Sequence, residues 1–238
     1  MRTDEWIVVL VLAVLLVFMW RWLKKWGQET AEKQYAANQR AADLEVLSRI
    51  SETGLTPLNS TPDSPMPFGY KMSWAVVRCD DPEQVIEVLD PLAWEPANWE
   101  TGVTRAYANY RKIFVSPCLD GFVLVIGDVP FYRLKDLAQD FEEAQAFFSY
   151  RTSDCYSWTK YVRGELVRAY TCLDDIVDED FGELTPEELA LGFDRFSPDG
   201  SVWPDEEDVL SIAAAWGIDP KFEKKTYLPG TGWLCTVD

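Results

Sequence analysis

Carboxylates are the chemical groups most concentrated in this 238-residue chain. The stretch from Asp174 to Asp208 holds 14 Asp and Glu residues against one base, Arg195, so its local charge is −13. Like charges at this density repel one another, and a cationic partner or a need for solubility can explain why they are kept. We interpret this run as a docking surface for a basic protein, with a solvated face as the alternative. The candidate residues are Asp178, Glu179, Asp180, Glu183, Asp205, Glu206 and Glu207.

Histidine is absent from the chain, and 40 acidic residues outnumber 22 basic ones to give a net charge of −18. Without histidine there is no Ser/His/Asp or Cys/His triad, no His general base and no His-ligated metal. An acidic balance of this size also argues against nucleic acid as a partner, because phosphate binding requires a surplus of Lys and Arg. We predict no cofactor.

Two short motifs could support catalysis or metal binding. Ser157 and Lys160 have the S-x-x-K spacing of penicillin-recognising enzymes. They fall in a predicted strand, however, so their side chains should point to opposite faces. Within the segment FDRFSPDGSVWPDE, the twelve residues that end at Glu206 have the length of an EF-hand loop, but Arg195 occupies the first position, where a carboxylate is needed. We therefore predict neither a serine nucleophile nor a metal site.

Five widely spaced cysteines form no C-x-x-C pair, so a metal knuckle or a thioredoxin-like site is not expected. A two-residue turn at Arg163 and Gly164 would place Cys155 directly opposite Cys172 on a hairpin, with Cα atoms about 4.5–5.5 Å apart. We expect both thiols to be buried and reduced, with a disulfide as the alternative.

The N-terminus predicts a membrane anchor over residues 1–26. From Trp6 to Leu23 the chain is almost entirely apolar, and these 18 positions span about 27 Å as a helix, close to the roughly 30 Å of a bilayer core. A cleaved signal peptide would need small residues at its end, and the sequence RWLKKW lacks them. More basic residues follow the span than precede it, which predicts an inner (plasma) membrane protein with a cytoplasmic C-terminal domain.

Three further segments follow the anchor. Residues 27–53 are rich in helix-forming residues and predict a juxtamembrane helix, and residues 54–71 contain four prolines and predict an extended linker. Residues 72–238 then form one acidic domain. Asp-Gly at Asp120 and Gly121 and the turn at Arg163 indicate hairpins, while capped starts near Pro82, Thr185 and Asp205 indicate helices. The predicted fold class is α+β, with antiparallel hairpins and packed helices.

Two segments carry a resemblance to other proteins. The block from Trp94 to Gly127, which includes FVSPCLDGFVLVIG, resembles a segment of uncharacterised bacterial proteins, and WPDEEDVL from Trp203 to Leu210 resembles the same group. Proteins of this general type, small, acidic and without catalytic motifs, include membrane-anchored immunity proteins of bacterial toxin systems. The resemblance implies a toxin as the basic partner and assigns no functional residue.

The sequence thus predicts a membrane-anchored acidic binding protein that docks or neutralises a basic protein. Two alternatives from other classes stay open: a structural subunit of an envelope complex, and a hydrolase that uses paired carboxylates. A hydrolase needs two carboxylates that converge in a concave pocket, whereas a binding protein needs carboxylates spread over an open face.

Overall fold

The computed structural model describes residues 57–174, 176–196 and 202–237. The predicted membrane span from Trp6 to Leu23 and the predicted juxtamembrane helix over residues 27–53 lie outside these ranges. Within them, no helix combines the length and the apolar character that a bilayer crossing requires.

A nine-stranded antiparallel sheet forms the centre of the domain. Its strand order is β2-β9-β3-β4-β1-β5-β6-β7-β8, so β2 and β8 are the two edge strands. The strands are β1 (Met72–Arg78), β2 (Ala93–Asn98), β3 (Lys112–Val115), β4 (Phe122–Ile126), β5 (Glu143–Tyr150), β6 (Cys155–Val162), β7 (Glu165–Leu173), β8 (Ile176–Phe181) and β9 (Thr231–Thr236).

Helices cover both faces of this sheet. Those in the described ranges are α1 (Pro82–Leu89), α2 (Trp99–Ala108), α3 (Val129–Asp140), α4 (Pro186–Ala190) and α5 (Glu206–Trp216), with a short 3-10 helix at Phe193–Arg195. The α+β class predicted from the sequence is confirmed for this domain.

Helix starts follow the capping residues that the sequence displays. Asp81 accepts a hydrogen bond from the backbone N–H of Glu83 and begins α1. Thr185 and Glu188 form a reciprocal capping box at α4, and Asp205 and Asp208 form another at α5. Each box satisfies two backbone donors that the first turn of a helix would otherwise leave unpaired. The predicted starts of these helices are confirmed.

The two sheet faces differ in composition because side chains alternate along each strand. The aromatic face, packed beneath α2, α4 and α5, is the larger core and contains Trp74, Phe114, Phe147 and Trp158, each with no exposed surface. Trp74 and Phe147 stack with their ring centroids 5.2 Å apart. The opposite aliphatic face is covered by α1 and α3 and consists mainly of Val and Ala side chains.

The hairpin between β6 and β7 has the predicted turn but a different register. Val162 pairs with Glu165 across the turn, as expected. A β-bulge between Lys160 and Tyr161 then shifts the pairing by one residue, so that Cys155 lies opposite Leu173 and Cys172 opposite Tyr156. The predicted Cys155–Cys172 cross-strand pair is therefore wrong, and the two side chains belong to opposite faces. No disulfide joins any of the five cysteines.

The described part of the proline-rich segment, residues 57–71, packs against the domain instead of forming a free spacer. Asp63 pairs with Gly230 in an isolated bridge. Its carboxylate also accepts hydrogen bonds from the backbone N–H groups of Trp99 at 2.6 Å and Glu100 at 3.0 Å, at the start of α2. Phe68 is buried in the aromatic face. Proline limits the conformations of this segment, and the side chains of Asp63 and Phe68, which lie between the prolines, attach it to the domain.

Candidate functional site

Three of the seven candidate carboxylates are exposed and have no partner among the residues that the structure describes. Asp178 and Glu179 lie on β8, the edge strand, and Glu183 lies in the loop that follows it. Within the part of the chain that the structure describes, no hydrogen bond or ion pair engages these three side chains. We call Asp178, Glu179 and Glu183 the β8 acidic surface.

Asp180, the fourth candidate on this side, has an internal partner. Its Oδ1 accepts a hydrogen bond from Nη1 of Arg168 at 2.5 Å, although the Asp180 side chain is half exposed. Arg168 also donates from Nη1 to the carbonyl of Phe181 at 2.9 Å. The Arg168 side chain thus fixes the end of β8 to β7, just before Glu183.

Arg168 is itself buried in an ion pair with Glu188, and the two residues are 1% and 0% exposed. Nε of Arg168 donates to both carboxylate oxygens of Glu188, at 2.8 and 3.1 Å. Glu188 also accepts from the indole of Trp158 and from the backbone N–H of Thr185. Burial alone would lower the pKa of Arg168, but the hydrogen bonds that it donates to Asp180 and Glu188 outweigh burial and raise that pKa. The guanidinium therefore stays charged.

Gly182 allows the chain to turn away from β8 toward α4. Its φ is +82°, and a Cβ built there would lie 2.2 Å from the carbonyl oxygen of Val167. No side chain fits at that distance, so this position requires glycine. The close approach of backbone to backbone holds the loop that contains Glu183 against β7.

The three candidates at the start of α5 are engaged in the fold to different degrees. Asp205 caps α5 through one oxygen, which accepts from Asp208 N–H at 3.1 Å. Glu206 is 9% exposed and lies 3.3 Å from the hydroxyl of Ser149. Glu207 accepts from the hydroxyl of Tyr70 at 2.6 Å and from Lys221. These hydrogen bonds lower the pKa of Glu207, with Lys221 as the larger cause.

A cleft of about 230 Å³ opens beside the start of α5. Three chain segments form it: the turn between β5 and β6, neighbouring positions on β6 and β7, and the segment before α5. Its lining residues are Asp154, Tyr156, Cys172, Trp203, Pro204 and Asp205. Cys172 pairs with Val177 of β8, so the cleft adjoins the strand that carries the β8 acidic surface.

Tyr156 is the buried polar group of this cleft. The residue is 6% exposed, and no hydrogen bond to its hydroxyl exists within residues 57–174, 176–196 and 202–237. Burial raises its pKa to about 12, and the nearby carboxylates of Asp154, Glu206 and Asp205 add to the rise. The phenol is therefore neutral at physiological pH and can both donate and accept a hydrogen bond.

The S-x-x-K motif does not assemble into a catalytic site, and residues 197–201 of the EF-hand-like segment lie outside the described residues. Ser157 hydrogen-bonds the hydroxyl of Thr171 at 2.9 Å, whereas Lys160 pairs with Glu143 at 2.8 Å and lies over the ring of Trp216 on the aromatic face. Their side chains point to opposite faces, as predicted. In the described ranges, no group of three or more Cys, Asp or Glu side chains could hold a metal ion.

Sequence analysis identified neither Arg168 as the partner of Asp180 and Glu188 nor the cleft beside α5. Arg168 alternates with Tyr170 and Cys172 along β7, and a charge within an apolar alternation is a signal that could have indicated a buried cation. The cleft gave no comparable signal, because Asp154, Tyr156 and Trp203 come from segments that only the fold brings together.

Comparisons with protein-family models, with curated proteins and with solved structures found no match for this chain. The arrangement of the side chains is therefore the basis for inferring function.

Proposed function

We propose that the chain is a membrane-anchored binding protein whose acidic domain docks a basic protein, with a bacterial toxin as the partner that the sequence resemblance implies. The observation that supports this proposal best is the β8 acidic surface. Asp178, Glu179 and Glu183 are exposed and have no partner among the residues that the structure describes. Their neighbours Asp180 and Glu188, by contrast, both form ion pairs with Arg168.

The position of this surface on an edge strand favours protein docking. The outer edge of β8 pairs with no other described strand, so its backbone N–H and C=O groups are available to an added strand. Ile176 and Phe181, at the two ends of β8, are 65% and 49% exposed. A basic extended segment could therefore combine backbone pairing, apolar contacts and charge complementarity.

The same observations support docking over hydrolysis. The carboxylates of the β8 acidic surface are exposed and lie at the edge strand of the sheet, where a partner protein can reach them. The cleft that contains Asp154 and Asp205 has a volume of about 230 Å³, below the roughly 300–1,000 Å³ typical of small-molecule sites. It suits a single side chain better than a substrate of several rings.

Capture by amide variants tests the proposed function. Full-length wild type, the triple variant D178N/E179Q/E183Q and the control E87Q/E95Q/D140N would each be crosslinked to protein partners in the native host. The control residues are exposed and lie on α1, β2 and α3. We expect a basic protein to be recovered with wild type and control at similar yield, and at about a tenth of that yield or less with the triple variant. Equal recovery with all three chains would contradict the proposal.

Thiol labelling tests the proposed orientation. Cys79 and Cys118 are partly exposed, whereas the other three cysteines are buried. Burial is the main cause that raises the pKa of Cys118, which slows its reaction with maleimide, so the label is followed at Cys79. With a cytoplasmic domain, we expect an impermeant maleimide to label Cys79 only after the cells are permeabilised. A C79S variant identifies the labelled site, and labelling in intact cells would place the domain outside.

A further inference from the structure

We propose that the cleft between Asp154, Tyr156, Trp203 and Asp205 binds one cationic side chain, an arginine or a lysine, of the basic partner. This inference rests on the proposed function and deepens it, because it assigns a specific residue contact to the docking surface. The β8 acidic surface would attract the partner, and the cleft would hold one of its side chains.

The charges at the cleft match a cation. Asp154 has no hydrogen bond or ion pair in the described ranges, and Asp205 uses one carboxylate oxygen to cap α5. Glu206 behind them is engaged by Ser149 and lies 3.9 Å from Arg151, whose side chain is 65% exposed. The two aspartates therefore supply the uncompensated negative charge at the mouth. A guanidinium or ammonium group between them would form charge-assisted hydrogen bonds.

Tyr156 gives an independent reason to expect a ligand. The Tyr156 residue is more than nine-tenths buried, and no residue in the described ranges forms a hydrogen bond with its hydroxyl, so that group is available to a ligand. The Tyr156 phenol lines the cleft and lies within the electrostatic influence of Asp154 and Asp205. It can accept a hydrogen bond from a cation that those carboxylates already attract.

The apolar wall of the cleft suits the stem of the same side chain. Trp203 and Pro204 are among the lining residues, and an indole face attracts a cation within about 6 Å of the ring. Lysine and arginine have long methylene stems that pack on apolar surfaces while their charged ends reach polar groups. The cleft therefore combines the three contacts that a basic side chain requires: carboxylates, a hydrogen-bond acceptor and an apolar wall.

Titration of the full-length chain with Nα-acetyl-arginine amide tests this site without the partner. The neutral citrulline analogue is the matched control ligand. NMR would follow the indole N–H of Trp203, assigned with W203F. We expect saturable shifts of that resonance with the arginine probe and at least tenfold weaker binding of the citrulline probe. Equal binding of both probes, or no shift at Trp203, would overturn the assignment.

Conservative variants separate recognition from folding. D154N and D205N remove the charges but keep the backbone, because Asn tolerates the positive φ of 41° at Asp154 and caps helices as well as Asp does. We expect D154N/D205N to lower the affinity for the arginine probe at least tenfold. We expect Y156F to lower that affinity roughly threefold to tenfold. E87Q/E95Q, with its changes on α1 and β2, should leave probe binding unchanged.

The outcomes for the cleft and for the proposed function are distinguishable. Unchanged probe binding in D154N/D205N would overturn the cleft assignment, even if the amide variants of the β8 acidic surface lose the captured partner. Equal partner recovery with the amide variants would overturn the proposed function, even if the arginine probe binds as expected.

Discussion

Replacing Arg168 with methionine is expected to lower the free energy of unfolding by about 3–5 kcal/mol, because the substitution leaves Glu188 buried without its cation. Trp158 and the backbone of Thr185 would still donate to the carboxylate, but neither supplies a positive charge. Urea unfolding of the full-length chain, followed by tryptophan fluorescence, measures the loss.

The double variant R168M/E188Q separates charge from packing. Glutamine keeps one acceptor oxygen, which can accept from Thr185 or from Trp158, and it removes the unpaired charge. We expect the double variant to be more stable than R168M alone. Equal instability of the two would show that Arg168 acts through packing and not through its ion pair.

Reversing the charge of the β8 acidic surface should produce the largest functional effect. With D178K/E179K/E183K we expect the association rate with the captured basic partner to fall about tenfold or more at low salt, because exposed charges steer the encounter. The control E87K/E95K/D140K makes the same change in net charge elsewhere. Stopped-flow mixing measures both rates. The fold should survive, since exposed substitutions usually cost within about 0.5 kcal/mol.

Local signals in the sequence predicted the local structure well. Asp120 and Gly121 form the turn between β3 and β4, because Asp and Gly tolerate positive φ, and Gly164 has the same role beside Arg163 in the turn between β6 and β7. The capping boxes at Thr185 and Asp205 likewise depend only on residues three positions apart. Such features need no knowledge of the rest of the fold.

Long-range features could not be predicted in the same way. The bulge at Lys160 and Tyr161 has no sequence signature, yet this one-residue shift separated Cys155 from Cys172. The order of the nine strands places β9 between β2 and β3, a pairing of distant segments that hydrophobic periodicity does not encode.

The candidate site shows the same division between local and long-range features. The acidic run predicted a charged surface, and Asp178, Glu179 and Glu183 are exposed as a docking surface requires. The sequence could not show that Arg168 neutralises Asp180 or that Lys221 binds Glu207, because these partners lie on other elements. Nor could it show that Asp205 shares a cleft with Tyr156.

The salt dependence of association most directly tests whether the β8 acidic surface docks a basic protein. The Debye length shrinks from about 10 Å at 0.1 M salt to roughly 4 Å at 0.5 M, so steering by these carboxylates should fade over that range. We predict that wild type and E87K/E95K/D140K associate fast at low salt and slow steeply as salt rises. The association rate of D178K/E179K/E183K should be low at low salt and should equal the rates of the other two proteins near 0.5 M salt. Association of that variant at the wild-type rate in low salt would contradict the account.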